Sequence, residues 1–415
     1  MTASAPAVAD AVAQAHRREW AFVLAATVRV TRDIDLAEEC VQDAYARALE
    51  HWARDGVPER PGAWLTIVAR RRALDLLRRN ARLARSLPLL LDDVHEPGPD
   101  EAAAPAVADD RLALIFTCAH PALAEPAQVA LTLRLVCGLR TAEIARAFLV
   151  SEPTMAARIT RAKKKIAAAR IPFRVPGADE LPARIQSVLS VVQLVFTTGH
   201  TAPGGRVLVR TDLVERSLDL ARMLRVLLPA DAEVSGLLAL ILLTDARRAS
   251  RTTQAGELAL LADQDRSLWD REAIEEGVAL VRVALRARPP GRFALMAAIA
   301  AVHAEAPSFD QTAWPEIVGL YELLGEAWPS PVVALNRAAA IGFADGPTAG
   351  LLALDALADD PALEGYRYLP AARADLLRRL GRTQEACAAY EQALALSDND
   401  VERAFLRGRL DGLGE

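Results

Sequence analysis

An all-α fold is what this sequence predicts, and three observations carry the prediction. The composition is rich in alanine and leucine with only 5% aromatic residues, apolar residues recur at helical spacing through most of the chain, and β-branched runs with period two are scarce. At 415 residues and 52% hydrophobic content, the chain has material for roughly two to four packed domains. Its formal charge of −5 hides an asymmetry, because two basic clusters fall within the first 170 residues and acids are spread over the remainder. Local charge, rather than the total, bears on nucleic-acid binding. No apolar run reaches the ~18 residues of a membrane span, and the N-terminus lacks the pattern of a signal peptide. Cys40, Cys118, Cys137 and Cys387 form no C-x-x-C motif and sit in helical patterns, as buried reduced thiols of a cytosolic protein would.

The first helical unit covers residues 10–80. Within DLAEECVQDAYARALEHW, Ala37, Val41, Ala44 and Ala48 line one face, while Glu38, Glu39, Gln42, Asp43 and Arg47 lie elsewhere, which predicts a helix with a packed side and a charged side. Gly56, Pro58, Pro61 and Gly62 then break the chain. A helix is expected over 63–79, with Trp64, Ile67, Val68, Leu74 and Leu77 inward and Arg70, Arg71, Arg72, Arg78 and Arg79 outward. Residues 81–108, with Pro88, Pro97, Pro99, Pro105 and a run of acids, read as a linker.

A second helical unit covers 109–170. Two helices flank a break at 121–126, where His120 reads as a turn or core residue. They are followed by LRTAEIARAFLVSEPTMAARITRAKKKI at 139–166. Here Thr141 is the expected N-cap of a helix with Ile144, Ala145 and Phe148 on its apolar face, and Ser151 caps a second helix with Pro153 in its first turn. Met155, Ile159, Ala162 and Ile166 form the buried stripe of that second helix. Thr154, Arg158, Arg161, Lys163, Lys164 and Lys165 form a basic outer face. Two such helices across a tight turn describe a helix-turn-helix, whose second helix enters the major groove of DNA.

IPFRVPGADELP marks a hinge at 171–186. A helical extension over 187–415 follows, with helical patterns at 184–196, 212–228, 235–248 and 274–288. Residues 366–396 fit a tetratricopeptide unit, in which Leu380 and Gly381 close the first helix and Ala386, Tyr390 and Ala393 line the second. A degenerate copy lies at 332–357, so the repeat pattern is clearest over about 332–396. TTGHTAPGG at 197–205, with His200, reads as a plain turn, since no Lys-Ser/Thr follows it as in a phosphate loop. Asp263, Asp265 and Asp270 with Arg266 and Trp269 read as an ion-pair network rather than a cation site. Asp245, Arg247 and Arg248 are expected to pair across to those acids.

The pattern DxAEExVQDAYxRALxxW, a proline loop and WLxxxARxxxxDxxRR together resemble the second domain of extracytoplasmic-function sigma factors of the sigma-70 family. EIA followed by S-x-x-T and R-x-x-R-A resembles their fourth domain. GLLALILLTDARRASR, DQDRSLWD, AAIAAVHAEAP, WPEIV with a following LY, and LNRAAAI resemble one subgroup that carries a long tetratricopeptide-like C-terminal extension, so the likeness covers nearly the whole chain. The resemblance implies two small helical sigma domains, the second ending in the helix-turn-helix, and a C-terminal helical-repeat domain. It implies core RNA polymerase as a partner, through its clamp helices and flap, and promoter DNA at the −10 and −35 elements. Carried over residue by residue, Glu38, Gln42 and Asp43 become polymerase contacts, and Arg70, Arg71, Arg72, Asp75, Arg78 and Arg79 become −10 contacts, with Trp64 read as core. Arg140, Thr141, Ser151, Thr154, Met155, Arg158, Arg161, Lys163 and Lys164 become −35 contacts. Leu149 and Pro153 stand where the family commonly has glycine, and Ala156 and Ala157 where it has polar or basic residues, so phosphate contacts are expected to carry more of the affinity.

The subgroup further implies regulation through the attached domain, with a protein partner of its own. No catalytic residue, metal ligand set, cofactor or membrane segment is expected. A stand-alone helix-turn-helix regulator with a helical sensor is the alternative, but it has no reason to possess 35–79. A hydrolase built on His200 or the 263–270 carboxylates lacks a nucleophile and base.

Overall fold

The computed structural model describes residues 5–86, 110–148, 150–253 and 255–414. Two compact units divide at Val191 and Val192, and the described residues are helical nearly throughout, as the composition predicts.

In the first unit, α1 (Ala5–Thr31), α2 (Ile34–Asp55) and α3 (Pro61–Ser86) pack on one another. Asp33 starts α2 by accepting the Leu36 N–H (3.0 Å), and Gly56 ends it at φ +85, a conformation that costs glycine little. Ala37, Val41, Ala44 and Ala48 are all fully buried, so the packed face of α2 is as expected. The face expected of α3 is not. Leu65, Ala69 and Ala73 are buried, whereas Ile67 and Leu74 are 52% and 42% exposed. Small side chains at 69 and 73 let α3 lie close to its neighbours, and this turns the larger aliphatic residues outward. The expected linker is also shorter at its start, because 81–86 continue α3; 87–108 lie outside the described residues.

The helices α4 (Asp110–Cys118), α5 (Glu125–Leu131), α6 (Thr141–Ala147) and α7 (Glu152–Ala168) complete the sigma-like part of this unit. A π-helical turn, Thr132–Val136, extends α5. His120 lies in the expected turn, its Nδ1 accepting the Ala122 N–H (3.1 Å). The two halves touch: α1 packs on α4, and the Trp20 indole donates to the Leu135 carbonyl (3.0 Å). Gly138, at φ +70, sits beneath that indole, where a Cβ would come within 3.0 Å of Trp20 Cγ. Leu149, expected at the turn of the helix-turn-helix, lies outside the described residues. The start of α8 (Leu181–His200) is tied to this unit by Arg184, which donates to the Phe116 carbonyl (2.6 Å).

The second unit consists of α9 (Thr211–Leu227), α10 (Ala232–Asp245), α11 (Arg271–Ala284), α12 (Arg292–Glu305), α13 (Trp314–Ala327), α14 (Pro331–Ala344), α15 (Pro347–Asp355), α16 (Tyr368–Arg379), α17 (Thr383–Leu396) and α18 (Asp400–Gly414), with the end of α8. Successive helices pack as hairpins. Gly236 lets α10 cross α12, because a Cβ there would lie 2.6 Å from the Ala294 nitrogen. The tetratricopeptide reading of 366–396 matches α16 and α17, which turn at Gly381 (φ +72) and bury Ala386, Tyr390 and Ala393. The degenerate copy corresponds to α14 and α15. The turn expected over 197–205 is shorter, since α8 runs on through His200. Gly204–Gly205 (β1) leaves the helical pattern and pairs in parallel with Asp398–Asn399 (β2). Among the described residues no helix is long and apolar enough to cross a membrane.

Candidate polymerase and promoter interfaces

The basic face of α7 is set by its cap and its core stripe. The Ser151 hydroxyl accepts the Thr154 N–H (3.3 Å) and lies 2.7 Å from the Thr154 hydroxyl, so the side chain at the start of α7 is held in place. Met155, Ile159, Ala162 and Ile166 are buried, which turns Thr154, Arg161, Lys164 and Lys165 to the outside and leaves Arg158 half-buried. Two members of the expected −35 set are engaged inside the chain in this structure. Met155 is 0% exposed and is core. Lys163 lies at the edge of the stripe and donates to Asp35 (2.7 Å) and Glu38. On α6, Arg140 rather than Thr141 occupies the N-cap position; the Glu143 carboxylate accepts the Arg140 N–H (2.7 Å) and pairs with its guanidinium (3.0 Å).

On α2 the three expected polymerase contacts separate. Gln42 is exposed. Asp43 is ion-paired to Arg72 of α3 (2.9 Å). Glu38 is 5% exposed and takes both Arg134 (2.9 Å) and Lys163. Its carboxylate is thus spent inside the chain, because a buried charge is tolerated only when paired. Leu49, 48% exposed, lies two helical turns from Gln42 on the same outer face and escaped sequence reasoning.

On α3, Arg70, Arg71, Arg78 and Arg79 are exposed, and Asp75 stands 3.9 Å from Arg78 with both side chains 70% exposed, a pair that contributes little. Ile67, Arg70, Arg71, Leu74 and Arg78 follow at three- and four-residue steps and share one face. The result is an exposed surface of guanidinium groups interleaved with two aliphatic side chains, suited to phosphates and to unstacked bases. Ile67 and Leu74 were missed as surface residues because their spacing is also that of a core stripe. Trp64 packs edge-on against Trp52 (5.7 Å between centroids), as an aromatic of the core boundary.

The polar patches of the second unit have structural uses. His200 is buried and stacked on Phe196 (5.3 Å); burial first, and Arg251 second, hold its pKa well below the usual histidine value. Asp265 and Asp270 cap short helical starts by accepting the Ser267 and Ala273 N–H groups (2.8 and 3.0 Å), which replaces the expected ion-pair network. Arg248 binds Asp245 (2.8 Å). Arg247 does not pair with an acid among the described residues. No group of three or more histidine, cysteine or carboxylate side chains among the described residues is placed to hold a metal.

Family models match three segments. Sigma-70 region 2 matches 16–83, which covers α2 and most of α3. Sigma-70, region 4 matches 113–166, ending in α7. A family of unknown function (DUF6596) matches 184–285, at the start of the extension. An uncharacterized protein of Rhizobium meliloti (strain 1021) is 44% identical over 394 residues, covering 94% of this chain and 93% of the relative. With both sigma regions on the elements that carry the basic faces, and a relative similar along nearly the full length, the chain belongs to the sigma-70 family, as a sigma factor of the extracytoplasmic-function type with a helical C-terminal extension.

Proposed function

We propose that this chain binds core RNA polymerase and directs promoter-specific initiation, and that its C-terminal unit regulates that activity. The observation that carries the reading is the split of α7 into a buried stripe and an exposed face of Thr154, Arg161, Lys164 and Lys165. That split is joined to a region 2 whose α3 exposes Arg70, Arg71 and Arg78 beside Ile67 and Leu74. In this reading α7 anchors the −35 element, α3 captures the separated −10 strand, and the outer face of α2 around Gln42 and Leu49 docks on the polymerase clamp helices, with region 4 on the flap. The mechanism is binding in the cytoplasm, without bond chemistry of the chain's own. Basic contacts of this kind make affinity fall steeply with salt.

The −10 and −35 elements lie about 25 base pairs apart by their positions, roughly 85 Å of duplex at about 3.4 Å per pair. Regions 2 and 4 packed through Trp20 and Glu38 must therefore part before one chain can span both. The C-terminal unit is a natural controller of that step, and a protein partner on its repeat face is part of the proposal. Co-elution of the full chain with core polymerase tests the docking. Wild type is expected to form a complex that Gln42→Ala with Leu49→Ala weakens at least tenfold, and an unweakened complex counts against the assigned face. A stand-alone regulator would bind promoter DNA equally well without core polymerase.

A further inference from the structure

The second unit contains a cavity of about 400 Å³ between α8, α10, α12, α13 and α14, a size usual for small-molecule sites. Leu243, Met296, Ile299 and Trp328 give it an apolar wall, and no aspartate or glutamate lines it. Against that wall stand polar groups the protein itself leaves unused. Arg247, Thr244, Tyr321 and Asn336 all line the cavity, and among the described residues none of their side chains makes a hydrogen bond or ion pair. His303 also lines it, with Nδ1 buried and without a partner.

Arg247 is the anomaly. Its neighbour Asp245 is taken by Arg248, and the charge nearest in influence is a second cation, Arg266. Arg266 is fixed over the Trp269 ring (4.3 Å) and donates to the His303 and Ala306 carbonyls (2.9 and 2.7 Å), so it cannot turn away to relieve the repulsion. Burial first, and Arg266 second, lower the pKa of Arg247, yet an arginine stays charged. Burial and then Arg247 bring His303 down to about 4, so the imidazole is neutral at physiological pH and leaves the arginine as the cavity's charge. A desolvated cation without a counter-charge is costly, and the simplest group that removes the cost is an anion. A planar guanidinium matches a carboxylate through two parallel hydrogen bonds.

We infer that this cavity binds a small organic carboxylate. Arg247 takes the carboxylate, Tyr321 and Asn336 offer further hydrogen bonds, and the wall of Leu243, Met296, Ile299 and Trp328 covers an aromatic or aliphatic body. Occupancy would bridge α10, α12, α13 and α14 and would be the input that a regulatory unit reads. That last step rests on the proposed function, whereas binding does not.

Calorimetric titration of the full chain tests binding, with phenylacetate and octanoate as probes, 2-phenylethanol and octylamine as shape-matched controls, and phenyl phosphate to separate carboxylates from phosphate monoesters. Saturable binding of a carboxylate, at least tenfold tighter than both controls and than phenyl phosphate, is expected. Arg247→Met should weaken it at least thirtyfold and leave the helical circular dichroism intact, and Arg206→Met, at an exposed site of the same unit, should leave it unchanged. Should Arg247→Met fail to fold, Met296→Trp decides, because it fills the cavity and keeps the arginine; loss of binding is expected. The inference is overturned if neither carboxylate saturates, if the alcohol, the amine or phenyl phosphate binds as tightly, or if folded Arg247→Met or Met296→Trp binds as wild type does. Carboxylate binding that leaves transcription unaltered would sink the regulatory step alone.

Discussion

Lys163, on the helix that carries the region 4 basic face, is ion-paired to Glu38, on the helix that carries the region 2 acidic face. The pair is shielded, with side chains 14% and 6% exposed, and the same carboxylate takes Arg134 at 2.9 Å. One carboxylate therefore joins two cations of region 4 to region 2, and it stands where both regions must be free for the proposed function.

Removing that carboxylate leaves Arg134 without an acid among the described residues and Lys163 with only the exposed Asp35. Glu38→Gln is expected to destabilise the first unit by about 3 kcal/mol, read as an earlier urea midpoint of its unfolding transition. A shift under about 0.5 kcal/mol would mean that the triad does not hold the regions together. For Lys163, burial opposes the charge, but Glu38 and Asp35 outweigh it and raise its pKa above 10.5. A raised lysine contributes stability that is complete below its unfolded value and is lost as pH rises through the folded one. The wild type should accordingly lose this contribution only above about pH 10.4, and Lys163→Met should remove the dependence.

Under the proposed function, the half-buried Arg158 and the exposed Arg161 are the α7 groups assigned to base edges. Arg158→Ala and Arg161→Ala should each cost about 1–3 kcal/mol in binding to a cognate promoter, measured by filter binding of the holoenzyme. Lys164→Ala should weaken all sequences alike and reduce the salt slope by about one. Equal losses on cognate and random DNA for the arginines would assign them to phosphates.

The exposed aliphatic residues of α3 separate stability from function. Ile67→Ser and Leu74→Ser should leave stability within about 1 kcal/mol, because about half of each residue is already in water, and should slow formation of open complexes as followed by permanganate reactivity. A large stability loss with normal opening would return them to the core.

Gly350 meets Gly342 where α15 crosses α14; a Cβ at Gly350 would lie 2.6 Å from the Gly342 Cα. Gly350→Ala should cost about 2–3 kcal/mol, seen as a lowered melting temperature of the second unit, while Gly319→Ala, where nothing lies within 4 Å, should not.

How far the sequence discloses this protein depends on how local the cause is. The Ser151 cap, the stripe from Met155 to Ile166 and the Ala386, Tyr390, Ala393 ladder are local patterns, and the structure reproduces each. The face of α3 was misread because Ile67 and Leu74 obey the same helical spacing as a core stripe, and only contact with α1 and α2 selects Ala69 and Ala73 instead. Gly199 suggested a loop, yet it continues α8 because its missing Cβ admits α9, at 2.8 Å from Leu213 Cβ. The Glu38 triad joins residues far apart in sequence, and the setting of Arg247, with Arg266 near it and no acid paired to it among the described residues, is also made by distant segments; no periodicity reports either.

Transcription with purified core polymerase on genomic fragments from the chain's own host, with the 5′ ends mapped, tests the central claim most directly. The account predicts defined start sites that require the full chain and disappear with Arg158→Ala and Arg161→Ala combined. Specific DNA binding that needs no core polymerase, with no chain-dependent start sites, would contradict it and leave the stand-alone regulator.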